Sequence, residues 1–116
     1  MAAVLQSPVA DPMLLVEQSG GVATLTLNRP AQYNVLSAGM MDALQAEFER
    51  IAAESSVRVV VLAAAGKAFC AGHDLREMRA EPALAYYQAL FAQCSRLMTT
   101  LQALPQPVIA RVQGVA

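Results

Sequence analysis

A chain of 116 residues, 56% of them apolar and 15% charged, is one domain's worth of material, and its apolar excess points to a larger parent or an oligomer. A formal net charge of −1 lacks the clustered basic footprint of a nucleic-acid binder, and no apolar run approaches the ~18 residues that span a bilayer. With no basic residue before Arg29 and only Cys70 and Cys94 as cysteines, neither a targeting segment nor a disulfide framework is expected, and a soluble cytoplasmic domain is predicted.

Residues 1–12, with Pro8 and Pro12 and no periodicity, read as a flexible N-terminal arm, leaving 13–116 as the domain. MLLVEQ (13–18) and VATLTLN (22–28) read as strands joined through Gly20-Gly21, since glycine reaches the positive φ angles of a hairpin turn. NRPAQYN (28–34) is a loop, and its Arg29, Tyr33 and Asn34 are explained by surface turn chemistry and assigned no role. Ser37 is placed to cap a helix over 38–54, whose Met41, Leu44, Phe48 and Ile51 recur at spacings of three and four. VRVVVLAA (57–64) predicts a strand buried on both faces, as in a parallel sheet covered by helices.

Beyond it, Pro82 marks the first turn of a long helix, with a stripe of Leu84, Tyr87, Phe91, Cys94, Met98 and Leu101 running to Pro105. PVIARVQGVA (107–116) begins another buried strand. The order predicts an α/β fold with right-handed crossovers. A strand followed by Gly114 would lead into a turn and a further helix, so the sequence reads as a piece of a longer chain.

The chemistry concentrates in GKAFCAGHDL (66–75), which holds the only histidine. A structural zinc site wants four Cys/His ligands, and Cys70, Cys94 and His73 cannot supply them. Cys70 follows Phe69 and reads as a packed small residue rather than a nucleophile activated by His73 and Asp74. Gly66-Lys67 lacks the earlier glycine and the following Ser or Thr of a phosphate loop. What remains is backbone. Ala71 and Gly72 let a ligand approach the main chain, and a helical turn starting near Asp74 would offer free N–H groups, His73's included, to an anion or a developing oxyanion. A tight strand-to-helix turn with nothing bound explains the same residues, and both readings stay open.

LNRPAQYNVLS (27–37), VVVLAAAGKAFCAGHDLREM (59–78) and LPQPVIARVQGVA (104–116) resemble, in order and spacing, three signatures of the enoyl-CoA hydratase/isomerase (crotonase) superfamily, over nearly all of residues 13–116. The resemblance implies a crotonase-like spiral of β-β-α units, incomplete in this chain, assembled as trimers or pairs of trimers (hexamers). It implies an acyl-CoA thioester as ligand, a place in fatty acid metabolism, and no cofactor or metal, coenzyme A being part of the substrate. The backbone N–H of His73 becomes one of two oxyanion donors, the other coming from a turn beyond Ala116. Ala71 meets the adenine end, while Asp74, Leu75 and Arg76 line the same pocket, with Arg76 near the phosphates.

The sequence also departs from the family pattern. His73 stands where many members carry alanine, Ala31 where a lysine often helps hold coenzyme A, and Gln113 where asparagine is frequent. The glutamates that move protons in hydration fall past residue 116, so these residues alone should be nearly inactive. The expected activity is enoyl-CoA hydratase-like (a lyase). The alternatives are a catalytically silent acyl-CoA binder or scaffold, and an isomerase, hydrolase or decarboxylase of the same family.

Overall fold

Alternating apolar residues on either side of Gly20-Gly21 make the hairpin that anchors the sheet. Strands β2 (Leu14–Ser19) and β3 (Val22–Leu27) pair antiparallel from Leu14↔Leu27 to Ser19↔Val22. Both turn glycines have positive φ, +58° and +83°, the requirement of a two-residue turn whose twist matches the strands. The computed structural model describes residues 3–4 and 11–116. Part of the segment read as a flexible arm is therefore placed: β1 (Ala3–Val4) pairs antiparallel with Glu17 and Gln18. The carbonyls of Asp11 and Pro12 accept from the Arg29 guanidinium at 2.8 and 3.2 Å. Residues 1, 2 and 5–10 lie outside the described residues.

Helix α1 (Ala38–Ala52) follows the apolar spacing closely, burying Met40, Met41, Leu44, Phe48 and Ile51. Ser37 caps it as predicted, its Oγ accepting from Met40 N at 3.1 Å. The first N–H of the helix, on Ala38, donates instead to Glu77 Oε1 at 2.9 Å, a carboxylate 39 positions along the chain. Both contacts satisfy donors that a helix start leaves open. Ser37→Ala should therefore cost about 1 kcal/mol of unfolding free energy, read from the urea midpoint at unchanged slope.

β4 (Val59–Ala64) pairs parallel with β3, and β5 (Val108–Ala110) parallel with β4, giving one mixed sheet in the order β1-β2-β3-β4-β5. The register sets Ala23 beside Val60, Leu25 beside Leu62 and Leu27 beside Ala64. That face meets α1 and α3 (Leu84–Ala103) in the core, which includes Val16, Leu25, Phe48, Val60, Leu90 and Leu97. The expectation that 57–64 is buried on both faces needs correction: of the strand, only Val60 and Ala63 are fully buried. Each face holds one buried residue, Val60 on one and Ala63 on the other, while Val59, Val61, Leu62 and Ala64 stay half-buried.

The stripe expected on α3 also differs. Leu90 and Leu97 are buried, with Tyr86, Cys94 and Leu101 packed beside them, whereas Leu84, Phe91 and Met98 are 73%, 47% and 40% exposed. This helix is apolar around more than one face, so its docking against α1 selects the buried stripe and periodicity alone does not. Pro82 stands before the N-cap Ala83 and not inside the first turn. The last strand covers only Val108–Ala110, and it is largely exposed rather than buried, with Ile109 open to solvent. Beyond Ala110 the chain leaves the ladder and docks on the loop described next.

Candidate functional site

The chain leaves β4 at Ala64 and runs through residues 65–74 before α2 (Leu75–Ala80). This passage is held between two flanks, the turn around residues 28–37 and the terminal segment 111–116. Gly66 starts it at φ +87°, and a Cβ there would lie 2.6 Å from Pro30 Cβ, so only glycine fits. Phe69 N donates to Val115 O at 2.7 Å on one flank, and Ala71 N donates to Tyr33 O at 3.0 Å on the other.

The next contact decides where His73 faces. Leu36 N donates to Gly72 O at 2.7 Å, and Asp74 N donates to Leu36 O at 3.3 Å, forming a parallel bridge between Leu36 and His73. In a parallel pair, a residue straddled in this way turns its own N–H and C=O to the opposite side. Accordingly, the N–H of His73 makes no hydrogen bond among the described residues, although those of Phe69, Ala71, Gly72 and Asp74 all do. The reason differs from the one offered by sequence. The donor is not a free helix-end group: Asp74 is the N-cap of α2, and its Oδ1 takes the N–H groups of Arg76 and Glu77 at 3.1 and 3.2 Å. His73 lies one residue earlier, on extended chain. Asp74→Ala should remove this cap and loosen α2 by about 1 kcal/mol, seen as faster amide exchange over residues 75–80 with the core unchanged.

A cleft of about 360 Å³ opens on this loop. One wall is Ala71, His73, Asp74, Leu75 and Arg76, the residues singled out from sequence; the other is Ala31, Gln32, Tyr33 and Val35. Leu75 is 67% exposed. Arg76 is exposed and makes no ion pair among the described residues, leaving its guanidinium available to an anion. The imidazole of His73 meets the ring of Phe91 edge-on at 5.5 Å between centroids. Its Nδ1 is buried without a partner among the described residues. Behind the cleft, Glu77 links α1, α2 and α3, accepting also from the Tyr86 hydroxyl at 3.3 Å. Burial, followed by the negative charge of Glu77, pushes the Tyr86 hydroxyl above the usual phenol range.

Among the described residues no cluster of three or more His, Cys, Asp or Glu side chains could hold a metal, and both cysteines are free thiols. No helix of the described residues is long and apolar enough to cross a membrane.

Sequence reasoning missed two carboxamides. Asn34, read as surface turn chemistry, is completely buried and left-handed (φ +53°). Gln113 Nε2 donates to Ala64 O at 2.8 Å and Gly66 O at 3.1 Å. An asparagine beside a proline turn gives no sign that its side chain is internal; the tolerance of Asn for αL backbone was the one available signal. Arg29 has a local task, bonding Asp11, Pro12 and Asn28.

A mixed sheet packed against helices, with a backbone-lined cleft at a strand exit, defines an α/β domain, and the solved structures it superposes on are enoyl-CoA hydratases of the crotonase fold. The structure of an enoyl-CoA hydratase from Mycobacterium smegmatis superposes with a TM-score of 0.86 at 59% identity, covering 87% of this chain and 40% of that one. The crystal structure of human enoyl coenzyme A hydratase domain-containing protein 3 gives 0.83 at 32% identity, covering 89% and 41%. Among curated proteins, the Xenopus laevis mitochondrial enoyl-CoA hydratase domain-containing protein 3 is 39% identical over 105 residues, covering 90% of this chain and 36% of the relative. A putative enoyl-CoA hydratase/isomerase of Bacillus subtilis is 38% identical over 112 residues, covering 93% and 42%. The model of the enoyl-CoA hydratase/isomerase family matches residues 17–116, and the chain belongs to that family. It spans well under half the length of these relatives.

Proposed function

We propose that the protein binds an acyl-CoA thioester in the 71–76 cleft and processes it by enoyl-CoA hydratase-like chemistry. The N–H of His73 is one donor to the thioester oxygen. The observation that carries this reading is the outward, unpaired N–H left by the Leu36 bridge. As water adds to the double bond, oxygen bonding the β-carbon and a proton the α-carbon, negative charge passes through the thioester oxygen. A preorganised N–H there lowers the barrier, and deleting one such donor costs about 3–4 kcal/mol. Ala71 and Leu75 form the walls, Asp74 fixes the loop, and Arg76 answers the phosphates of coenzyme A, its fork suited to them by shape and charge. No cofactor besides the substrate's own coenzyme A is part of the proposal. Trimers or pairs of trimers are, with exposed Leu84, Phe91, Met98 and Ile109 as apolar surface suited to burial between subunits. The two unpaired cysteines suit a reducing compartment such as the cytoplasm.

One feature supports the silent alternative. The carboxylates beside the cleft are engaged, Asp74 as a cap and Glu77 on Ala38 and Tyr86. Neither carboxylate is free to move a proton, and without another group that does so the same cleft is an acyl-CoA binder. Calorimetric titration of the full-length protein with acetyl-CoA and crotonyl-CoA, beside an absorbance assay for loss of the enoyl thioester, separates these outcomes. Saturable binding of both with turnover of crotonyl-CoA is expected. Binding without turnover makes the protein a binder, and binding of neither overturns the proposal.

A further inference from the structure

Asn34 is 0% exposed and uses its whole carboxamide on backbone. Oδ1 accepts from Arg29 N at 2.7 Å, while Nδ2 donates to Ala65 O at 2.9 Å and to Ala68 O at 3.0 Å. The side chain thus ties the turn at 29–34 to the loop leaving β4, which lies more than 30 positions away in sequence. The two bonds that follow, Ala71 N to Tyr33 O and Leu36 N to Gly72 O, involve the residue before Asn34 and the second residue after it, and repeat the same connection. Leu36 is also the residue whose bridge turns the His73 N–H outward.

We infer that Asn34 is a positioning residue of the acyl-CoA site: its carboxamide sets the loop 65–74 so that the His73 N–H is held at a fixed point in the cleft. Asn34 itself does not line the cleft; it acts through the loop. Its left-handed backbone allows both the turn and the inward side chain, and few residues other than asparagine, aspartate and glycine adopt that conformation readily. The catalytic part of the inference rests on the proposed function; the structural part does not.

The test uses Asn34→Asp and Asn34→Gly in the full-length protein. Aspartate keeps the shape and the acceptor but turns a carboxylate oxygen toward two carbonyls. Glycine keeps the left-handed turn and removes the amide, so it gives a second folded variant if the first fails. Two readouts are taken. Amide exchange over residues 66–74 should accelerate at least ~10-fold while the β2–β3 hairpin keeps its protection, the pattern of a local opening. With crotonyl-CoA, kcat per folded molecule should fall about 100-fold, as misplacement of a reacting group by about 1 Å does, while affinity for free coenzyme A changes less than about threefold. Unchanged exchange over 66–74 overturns the inference, as does kcat within twofold of the parent. If the unmutated protein neither binds nor converts acyl-CoA, the functional reading has failed, and the exchange measurement alone decides whether Asn34 holds the loop.

Discussion

Phe48→Ala should lower the unfolding free energy by about 3–5 kcal/mol, the range for deleting a buried aromatic ring. Phe48 is 1% exposed and lies on the inward side of α1, in the cluster that joins the sheet strands to α3. The same cluster includes Leu25 and Val60 on the sheet and Leu97 on α3, so the void would open in the core that the sheet and helices share. Interiors are packed too closely to collapse fully around such a gap. Against the ~5–15 kcal/mol that holds a typical domain together, this loss is large enough to appear directly in a urea transition. A loss under about 1 kcal/mol would mean that the ring is not in the core.

Gly114→Ala should have the next largest effect, and it should act on the site rather than the core. Gly114 has φ +58°, and an added Cβ would overlap the carbonyl oxygen of Lys67. Left-handed backbone costs a non-glycine residue about 1–2 kcal/mol, and forcing a methyl group into a filled space costs about 1–3 kcal/mol more. Undocking of the 111–116 segment is the available relief. That would release Phe69 N from Val115 O and Gln113 from the carbonyls of Ala64 and Gly66. The expected result is loss of protection at the Phe69 amide, with α1 and the β2–β3 hairpin still slow to exchange. Unchanged protection at Phe69 would show that the segment does not brace the loop.

Those features of the fold that depend on neighbours in sequence were legible in the sequence. The Gly20-Gly21 hairpin, the Ser37 cap and the Met41-Leu44-Phe48-Ile51 face each follow from local chemistry, and each stands where it was expected. The buried stripe of α3 was not legible, because Leu84, Phe91 and Met98 keep the same spacing as residues that do pack. Only contact with α1 chooses between the two stripes. The site divides in the same way. Small residues after a buried strand marked out the 71–76 loop, and those residues line one wall of a cleft. The direction of the His73 N–H is set by Leu36, and the shape of the loop by Asn34 and Gln113, all through bonds to residues more than 30 positions away. Residue type and spacing carry no record of such pairings.

Replacing the amide between Gly72 and His73 by an ester, in the full-length protein, tests the central claim most directly. The change deletes the N–H and leaves the imidazole, the cleft walls and Arg76 in place. Because the N–H has no partner among the described residues, the cost to stability is limited to the weaker ester carbonyl at Gly72, which still accepts from Leu36 N. With crotonyl-CoA as substrate, kcat should fall about 10²–10³-fold, the usual consequence of losing one oxyanion donor, with affinity for free coenzyme A preserved. An ester variant that turns over as fast as its amide parent would contradict the account, since the thioester oxygen would then be stabilised somewhere other than at His73.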